Sequence, residues 1–205
     1  METQTIEKAL QELRKDEKRK FVQTVDLIIN LQKFDARKES INLFVPVPHP
    51  TEKRICALLT RKTNIVDTLT KDDLGKFKEA KDVKKLAKKY DFFIAVASLM
   101  PEIATKLGRV FGPIGKMPSP QAGIIPMDND AAVKAMADKM KTLVKIKSKE
   151  RSLKIPVGKE DQSDKEIKEN IDVILNAVAN ALPQKGNNIK NVLIKFTMTK
   201  PVRIK

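Results

Sequence analysis

Residues 107–123 read LGRVFGPIGKMPSPQAG and hold four of the seven glycines and three of the eleven prolines of the chain. Proline fixes its φ angle and glycine adopts angles that other residues avoid, so this composition predicts a loop of defined shape. Arg109 and Lys116 make the loop basic, and no acidic residue occurs between Thr105 and Pro126. The loop is not a flexible linker, because it contains apolar anchors: Val110, Phe111, Ile114 and Met117. A structural connection between two helices and a functional loop both remain open on these local grounds.

The Gly115-Lys116 pair does not belong to a nucleotide-binding loop. A P-loop requires a glycine five residues before Gly-Lys and a Ser or Thr after it, but these positions hold Val110 and Met117. The dinucleotide pattern G-x-G-x-x-G is also absent from the glycine spacing. Both phosphate-binding motifs are therefore excluded.

The charge of the chain indicates a polyanionic partner. Its 205 residues, enough for one large or two ordinary domains, include 41 Lys and Arg against 26 Asp and Glu, which gives a formal net charge of +15. Such a surplus favours RNA or DNA. No apolar run of 18 residues and no signal peptide occurs, so we expect no membrane partner.

The sequence offers little for catalysis, metal binding or a cofactor. Cys56 is the only cysteine, which excludes an internal disulfide and fits a buried thiol in the reducing cytoplasm. His49 is the only histidine and has no ligand partners at metal-binding spacing. We therefore predict neither an enzyme nor a metal site, and we expect no cofactor.

The first fifty residues predict one helix and two strands. Residues 3–19 have a helical apolar period, and residues 21–31 alternate as a strand. A charged turn at 33–40 leads to a second strand at 41–47, and an antiparallel hairpin is the simplest pairing. Three prolines within 46–50 then indicate a domain boundary.

The central region predicts a parallel α/β layer structure. Continuous apolar runs at 54–60 and 91–97 are typical of buried strands, and residues 71–89 predict one or two charged helices. Further helices are expected from Ser98, before the Gly/Pro loop, and from Asp128, after it. Alternation of buried strands with helices is the pattern of such a domain.

The last sixty residues return to the pattern of the first fifty. Residues 144–157 predict a hairpin with one apolar and one basic face, turning at 148–152. Ser163 and Glu166 form a capping box for a helix through Leu182, and residues 192–198 alternate as a strand. One domain is therefore inserted in another, with a first crossing near 48–50 and a second at Thr142 or at 156–158.

Several of these stretches resemble the ribosomal protein L-one family, the protein of the mobile side stalk of the large subunit. Its most recognisable motif is similar to residues 107–113 and 117–123, and the family order continues in four shorter stretches: 21–26, 47–49, 156–159 and 197–198. The resemblance covers nearly the whole chain. The short N-terminus and the lysine-rich tail are similar to the archaeal and eukaryotic branch.

The resemblance implies an α/β fold of two domains. The first would be a split domain, 1–50 and 142–205, with an antiparallel sheet and helices from both termini, and the second an inserted Rossmann-like three-layer α/β domain, 51–141. It implies a cytoplasmic constituent of the large ribosomal subunit, monomeric when free, that binds large-subunit (23S-type) ribosomal RNA. It also implies exit-site transfer RNA and the protein's own messenger RNA, whose translation it would repress, as further partners.

By matching position, the resemblance places RNA contacts at Lys20, Phe21, Thr24 and Asp26, and at Thr197 and Met198. Thr199 replaces a family glycine and is followed by Lys200. From the residues themselves, Thr24, Asn191 and Thr197 suit polar readout, while phosphate contacts fall to Lys145, Lys147, Lys149, Lys154 and Arg203. Phe21 suits the core and ribose packing equally well.

Two further groups complete the expected functional residues. The second-domain loop contributes Arg109, Gly112, Lys116 and Gln121, with RNA, transfer RNA or the first domain as its contact. The hinge contributes Pro48, His49, Pro50 and Thr142. A basic protein that binds nucleic acid without specificity is the alternative function, because charge alone predicts that behaviour.

Overall fold

The computed structural model describes residues 5–15, 19–35, 41–75, 77, 79–148 and 150–204. The helices in these ranges are α1 Ile6–Leu13, α2 Lys71–Leu74, α3 Ala80–Lys89, α4 Met100–Ile114, α5 Asp130–Thr142 and α6 Asp164–Ala181. The strands are β1 Thr24–Leu31, β2 Asn42–Pro46, β3 Ile55–Leu58, β4 Asp67–Leu69, β5 Phe92–Val96, β6 Ile124–Ile125, β7 Leu143–Lys147, β8 Ser152–Lys159, β9 Ile189–Phe196 and β10 Val202–Arg203. None of the described helices is long and apolar enough to cross a membrane.

The chain divides into two compact units. Unit 1 comprises Met1–Thr51 and Thr142–Lys205, and unit 2 comprises Glu52–Lys141. Unit 1 contains antiparallel sheets, whereas the sheet of unit 2 is parallel. The predicted fold class, a mixed α/β protein, is therefore confirmed.

Unit 1 is built around a four-stranded antiparallel sheet in the order β10-β9-β1-β8. Alternate residues of β1 are fully or almost fully buried, and they join the apolar stripes of α1 and α6 in one core. Ser163 begins α6 with the predicted capping box, in which its Oγ accepts a hydrogen bond from Glu166 N. Because the helices cover one face of the sheet, the opposite face is left for function.

Both predicted hairpins are wrong. β1 pairs with β8 and β9 rather than with β2, and β2 pairs with β7 in a separate two-stranded sheet. β7 and β8 consequently belong to different sheets, so residues 144–157 are not a hairpin. The three eight-residue strands, β1, β8 and β9, lie side by side in one sheet, and the two five-residue strands, β2 and β7, pair in the other.

Unit 2 is a parallel sheet in the order β4-β3-β5-β6. Every residue of β3 is buried, as are four of the five in β5, which agrees with strands covered on both faces. Its main core cluster joins α3 and α4 to the sheet around Phe93 and Phe111, whose ring centroids lie 4.5 Å apart. The parallel α/β prediction for the central region is confirmed.

The predicted loop at 107–123 is wrong in its first half. α4 continues through Gly108 and Gly112 to Ile114, because Leu107, Val110 and Phe111 are buried at helical spacing. Burial of three large side chains outweighs the helix penalty of two glycines, about 1 kcal/mol each. Gly115 then ends the helix in the left-handed conformation, with φ at 81°.

Candidate nucleic-acid interface

The sheet face of unit 1 that is turned away from α1 and α6 carries polar, charged and apolar side chains. We call it the open sheet face, and its residues are Thr24, Asp26, Ile28, Asn30, Lys154, Asn191, Leu193, Lys195 and Arg203. All of them are half-buried or exposed. One row across the four strands contains Arg203, Leu193, Ile28 and Lys154, so two apolar side chains lie between two cations. The face combines apolar area with positive charge, as single-stranded nucleic acid requires.

Two pairs of open-face residues interact across β1 and β9. Asn30 Nδ2 donates to Asn191 Oδ1 at 2.6 Å, so the amide oxygen of Asn191 is already engaged. Asp26 lies opposite Lys195 in the strand register. Burial raises the pKa of the Asp26 carboxyl, and the charge of Lys195 partly offsets that rise. The polar groups of this face therefore stabilise one another as well as facing outward.

Thr24 and Thr197 join the start of β1 to the end of β9. Thr24 N donates to Thr197 Oγ1 at 3.1 Å, and the same hydroxyl donates to Thr24 O at 3.3 Å. β9 ends at Phe196, so Thr197 and Met198 lie in the following turn rather than in the predicted strand. The Thr197 side chain thus extends the ladder by one step and fixes the position of this turn.

Gln23 holds the backbone of Met198. It is only 2% exposed, and its Oε1 accepts a hydrogen bond from Met198 N at 3.1 Å. Glu160 bonds to both backbone groups of Gln23. Its Oε2 accepts from Gln23 N at 3.2 Å, and its N–H donates to Gln23 O at 2.9 Å. The sequence did not identify Gln23, although a signal existed. It is a polar residue in phase with the buried positions of β1, and such a residue needs an internal partner.

Arg14 fixes the connection from β8 to α6. Its guanidinium donates to Asp164 Oδ1, to Glu160 O and to Gln162 O, each at 2.8 Å. Such a fork holds several acceptors in one geometry, which a flexible ammonium would not do. Arg14 therefore supports Glu160 and, through it, Gln23. The sequence did not identify Arg14 either, because its acceptors lie about 150 residues away along the chain.

Large apolar side chains are exposed next to this network. Phe21 is 54% exposed, Val22 57% and Met198 61%. Phe21 precedes β1, which begins at Thr24, and its exposure decides the earlier alternative against the core. Lys20 and Lys200 are exposed on the same two segments. We call Lys20–Val22 together with Thr197–Lys200 the contact platform.

Thr199 turns its side chain back onto the chain. Its Oγ1 accepts a hydrogen bond from Phe196 N at 2.9 Å, and the same hydroxyl donates to Phe196 O at 3.4 Å. The hydroxyl thereby closes the turn after β9, which glycine would not do. The residue that departs from the resembled family is half-buried and part of the platform's support.

The remaining predicted cations of unit 1 do not form one basic hairpin face. Lys154 lies on the open sheet face, whereas Lys145 and Lys147 lie on β7 in the two-stranded sheet. Lys145 Nζ is 5.2 Å from the ring centroid of Phe44, and burial lowers its pKa. Lys147 is exposed, and Lys149 lies outside the described residues.

The predicted residues of unit 2 fall on α4 and on the loop that follows it, 115–123. Arg109 and Gly112 lie on α4 and are exposed, so neither belongs to a loop. Lys116 Nζ donates to Ala87 O at 2.8 Å and to Tyr90 O at 2.6 Å, which caps the end of α3, and burial lowers its pKa. Of the four, Gln121 alone is an exposed residue of the loop that remains, 115–123.

The residues predicted as a hinge flank the crossings between the units, which fall at 51/52 and 141/142. Val47 N donates to Thr142 O, continuing the β2–β7 pairing. The buried Asn170 of α6 accepts from His49 N at 3.0 Å and donates to His49 O at 2.7 Å. The His49 backbone is therefore fixed to unit 1, while Pro48 and Pro50 are exposed beside it.

The described residues contain no group of three His, Cys, Asp or Glu side chains that could hold a metal ion. Cys56 is fully buried, and burial raises the pKa of its thiol to about 12. A neutral, inaccessible thiol is a core residue rather than a nucleophile.

Fold and surface together define a strongly cationic two-unit α/β protein, in which both ends of the chain build one unit and the segment between them builds a second, parallel α/β unit. Residues 13–200 match the family described as the ribosomal protein L1p/L10e family. The chain belongs to this family, whose members are structural ribosomal proteins and not enzymes. Its place is accordingly the cytoplasmic ribosome.

Curated relatives agree with this membership. The large ribosomal subunit protein uL1 of Nanoarchaeum equitans is 35% identical over 204 residues, which cover 93% of this chain and 95% of the relative. The protein of that name from Thermococcus kodakarensis is 35% identical over 91% of this chain and 89% of its own length. The one from Pyrococcus horikoshii is 34% identical over 98% and 95%. The family resemblance stated from the sequence is confirmed.

Proposed function

We propose that this chain binds large-subunit ribosomal RNA at the side stalk, through the contact platform and the open sheet face of unit 1. The observation that carries the proposal is the exposure of Phe21 and Met198 on segments that Thr24, Thr197 and Gln23 hold in place. Exposed apolar groups on a rigid, cation-flanked sheet suit an RNA whose bases and riboses are splayed out of a regular helix. The names of the relatives, large ribosomal subunit proteins, support the same partner.

In this proposal, specificity and affinity reside in different residues. The platform reads the shape of the RNA, whereas exposed cations such as Lys147 and Lys154 neutralise phosphates. Phosphate contacts weaken steeply with salt because bound counterions are released. Shape recognition through apolar and hydrogen-bonding groups is far less sensitive to salt.

The first experiment compares binding of the stalk fragment of large-subunit ribosomal RNA with binding of a scrambled hairpin of equal length, at salt up to roughly 0.3 M. We expect a preference for the stalk fragment that survives high salt. Equal binding that collapses with salt would favour the alternative of a non-specific basic protein, which the net charge of +15 supports.

A matched pair of variants tests the platform. Thr197→Ser keeps the hydroxyl that bonds to Thr24, whereas Thr197→Val keeps the shape and loses both hydrogen bonds. We expect only Thr197→Val to weaken binding to the stalk fragment more than to the scrambled RNA. Lys147→Ala is the charge control, and it should weaken both RNAs alike and reduce the salt slope by about one. Equal losses on both RNAs for Thr197→Val would contradict the assignment.

Two finer roles extend the proposal. We propose that unit 2 assists the release of deacylated transfer RNA from the exit site, with Arg109 and Gln121 as exposed contacts. Its test is transfer RNA release from ribosomes carrying Arg109→Ala, where unchanged release would exclude that residue. We also propose that the free, monomeric protein represses its own messenger RNA. Added protein should then inhibit translation of that messenger and not of one lacking the stalk-like site.

The third role is a hinge at the two crossings between the units. Asn170 fixes the His49 backbone, and the β2–β7 pairing extends to Val47 and Thr142, so we place the bending at residues 50–52 and 141–142. Glu52→Pro fixes the φ angle at the first crossing, so it should reduce the change in inter-unit distance that fluorescent labels report on RNA binding. An unchanged distance range would exclude this hinge.

A further inference from the structure

A cavity of about 450 Å³ lies in unit 1 between the end of α1 and the turn from β9 to β10. We name it the α1 cavity, and its lining residues are Glu12, Leu13, Arg19, Met198, Thr199, Lys200 and Val202. Its volume lies in the range of small-ligand sites, which is several hundred Å³. Met198, Thr199 and Lys200 also belong to the contact platform, so the cavity extends that surface onto α1.

The lining has the chemistry of a nucleotide site. Leu13, which is 3% exposed, and the half-buried Val202 supply apolar wall, and Met198 adds a flexible thioether that adapts to flat groups. Arg19 and Lys200 are exposed cations, and within the described residues neither side chain makes an ion pair. A guanidinium stacks on a base plane, and an ammonium binds phosphate as a point charge. One carboxylate, that of Glu12, is present among these groups.

Glu12 gives the cavity a means of discrimination among bases. A carboxylate only accepts hydrogen bonds, so it binds an amino group such as cytosine N4. Uracil presents a carbonyl oxygen at the same place, which would repel the carboxylate. The charge of Glu12 also disfavours a free phosphate in the cavity, so a nucleotide suits it better than an inorganic anion.

We propose that the α1 cavity takes one unpaired RNA nucleotide whose base carries an amino group, with Glu12 as the specificity-determining residue. This inference rests on the proposed RNA-binding function, because Met198 belongs to both surfaces. The base packs against Leu13, Met198 and Val202 and stacks on the Arg19 guanidinium. Its amino group donates to Glu12, and Lys200 holds a flanking phosphate. Paired RNA has no base free to enter, so the cavity also selects single-stranded segments.

The test uses hexacytidylate and hexauridylate as probes of the full-length protein. Both have the same backbone charge, and they differ at the position that would face Glu12. We expect hexacytidylate to bind at least about fivefold more tightly, which is the lower end of discrimination by one base contact. Binding should shift the ¹³C methyl signal of Met198, while the methyl signal of the exposed Met127 of unit 2 stays unchanged.

The variants separate the base contact from general charge. Glu12→Gln adds a donor that can pair with uracil, so it should reduce the cytidine preference to within about twofold. Glu52→Gln removes the same charge from unit 2 and should preserve the preference. Lys200→Ala should weaken both probes more than Lys190→Ala, which removes an equal charge from an exposed position on β9. The four substituted residues are all exposed, so the variants should fold.

Three results would overturn the inference: equal affinity for the two probes, a preference unchanged in Glu12→Gln, or binding that leaves Met198 unshifted. A Met198 shift caused by inorganic phosphate alone would also overturn it in favour of an anion site. These failures are distinct from failure of the proposed function. A protein that prefers the stalk fragment without discriminating the hexanucleotides retains that function and lacks this subsite.

Discussion

Asn170 offers the sharpest test of how unit 1 holds the chain near its crossing to unit 2. Its side chain is fully buried and makes three hydrogen bonds to backbone groups. Nδ2 donates to His49 O at 2.7 Å and to Val157 O at 2.9 Å, and Oδ1 accepts from His49 N at 3.0 Å. Asn170→Leu keeps the number and branching of the side-chain heavy atoms and removes all three bonds.

The expected loss of stability follows from the groups left behind. An unsatisfied buried donor or acceptor costs about 1–3 kcal/mol, and Val157, 3% exposed, has no route to water. The half-buried His49 can recover some hydration, and Gln162 Nε2 already lies 3.5 Å from its carbonyl. Two to three such costs, less the gain from a buried apolar side chain, give about 3 kcal/mol of lost unfolding free energy.

Urea unfolding followed by far-ultraviolet circular dichroism measures this loss. With a slope near 2 kcal/mol per molar, we expect the midpoint of Asn170→Leu to fall by about 1.5 M. Glu169→Gln is the matched control on the same helix. This change weakens only the contact between Glu169 Oε2 and His49 Nε2, which are 2.7 Å apart. Because the Glu169 side chain is 61% exposed, the urea midpoint should shift by less than about 0.3 M. A shift that small for Asn170→Leu would refute the reasoning.

Three further predictions concern other parts of the chain. Lys116→Met should lower the stability of unit 2 by about 1–2 kcal/mol, measured by urea unfolding with the fluorescence of the only tyrosine, Tyr90, because α3 loses its cap. The raised pKa of Cys56, about 12 against an ordinary 9.0, means that the folded state holds the thiol proton more tightly. Its stabilisation should therefore be complete below pH 9 and decrease towards pH 12, so the urea midpoint should fall more between pH 9 and 11 in the wild type than in Cys56→Ala. Arg14→Lys should weaken binding to the stalk fragment more than to scrambled RNA, because Glu160 and Gln23 lose their support; equal weakening would assign Arg14 to charge alone.

The sequence correctly predicted which face of a strand is buried, but it did not predict which strands pair with each other. Alternation correctly indicated that Val25, Leu27 and Ile29 are buried, since the side-chain period of a strand is local. The partners of β1 lie more than 120 residues away, and no local pattern records which strand is its neighbour. The short connection between β1 and β2 therefore favoured a hairpin that the fold does not contain. The equal lengths of β1, β8 and β9 are known only once the structure gives the ends of each strand.

The Gly/Pro motif shows a second limit of composition. Four glycines and three prolines in 107–123 predicted a loop, yet the spacing of Leu107, Val110 and Phe111 already matched one helix face. A glycine within a helix lowers its stability by about 1 kcal/mol, whereas burial of each large apolar side chain raises the stability by about 2 kcal/mol. Periodicity should therefore have outweighed composition as far as Gly115.

The polar residues assigned to RNA readout have a different role from the one that their side chains suggested. The Thr197 hydroxyl bonds to the Thr24 backbone, and the Asn191 amide oxygen accepts from Asn30. Groups already satisfied inside the protein gain little from a new partner, because binding would exchange one hydrogen bond for another. What they provide is rigidity: the exposed Phe21 and Met198 are presented without the entropy cost of ordering their segments on binding. Substitutions of Thr197 should then act through the position of Met198, which is why loss of the hydroxyl, and not loss of the methyl group, is the informative change.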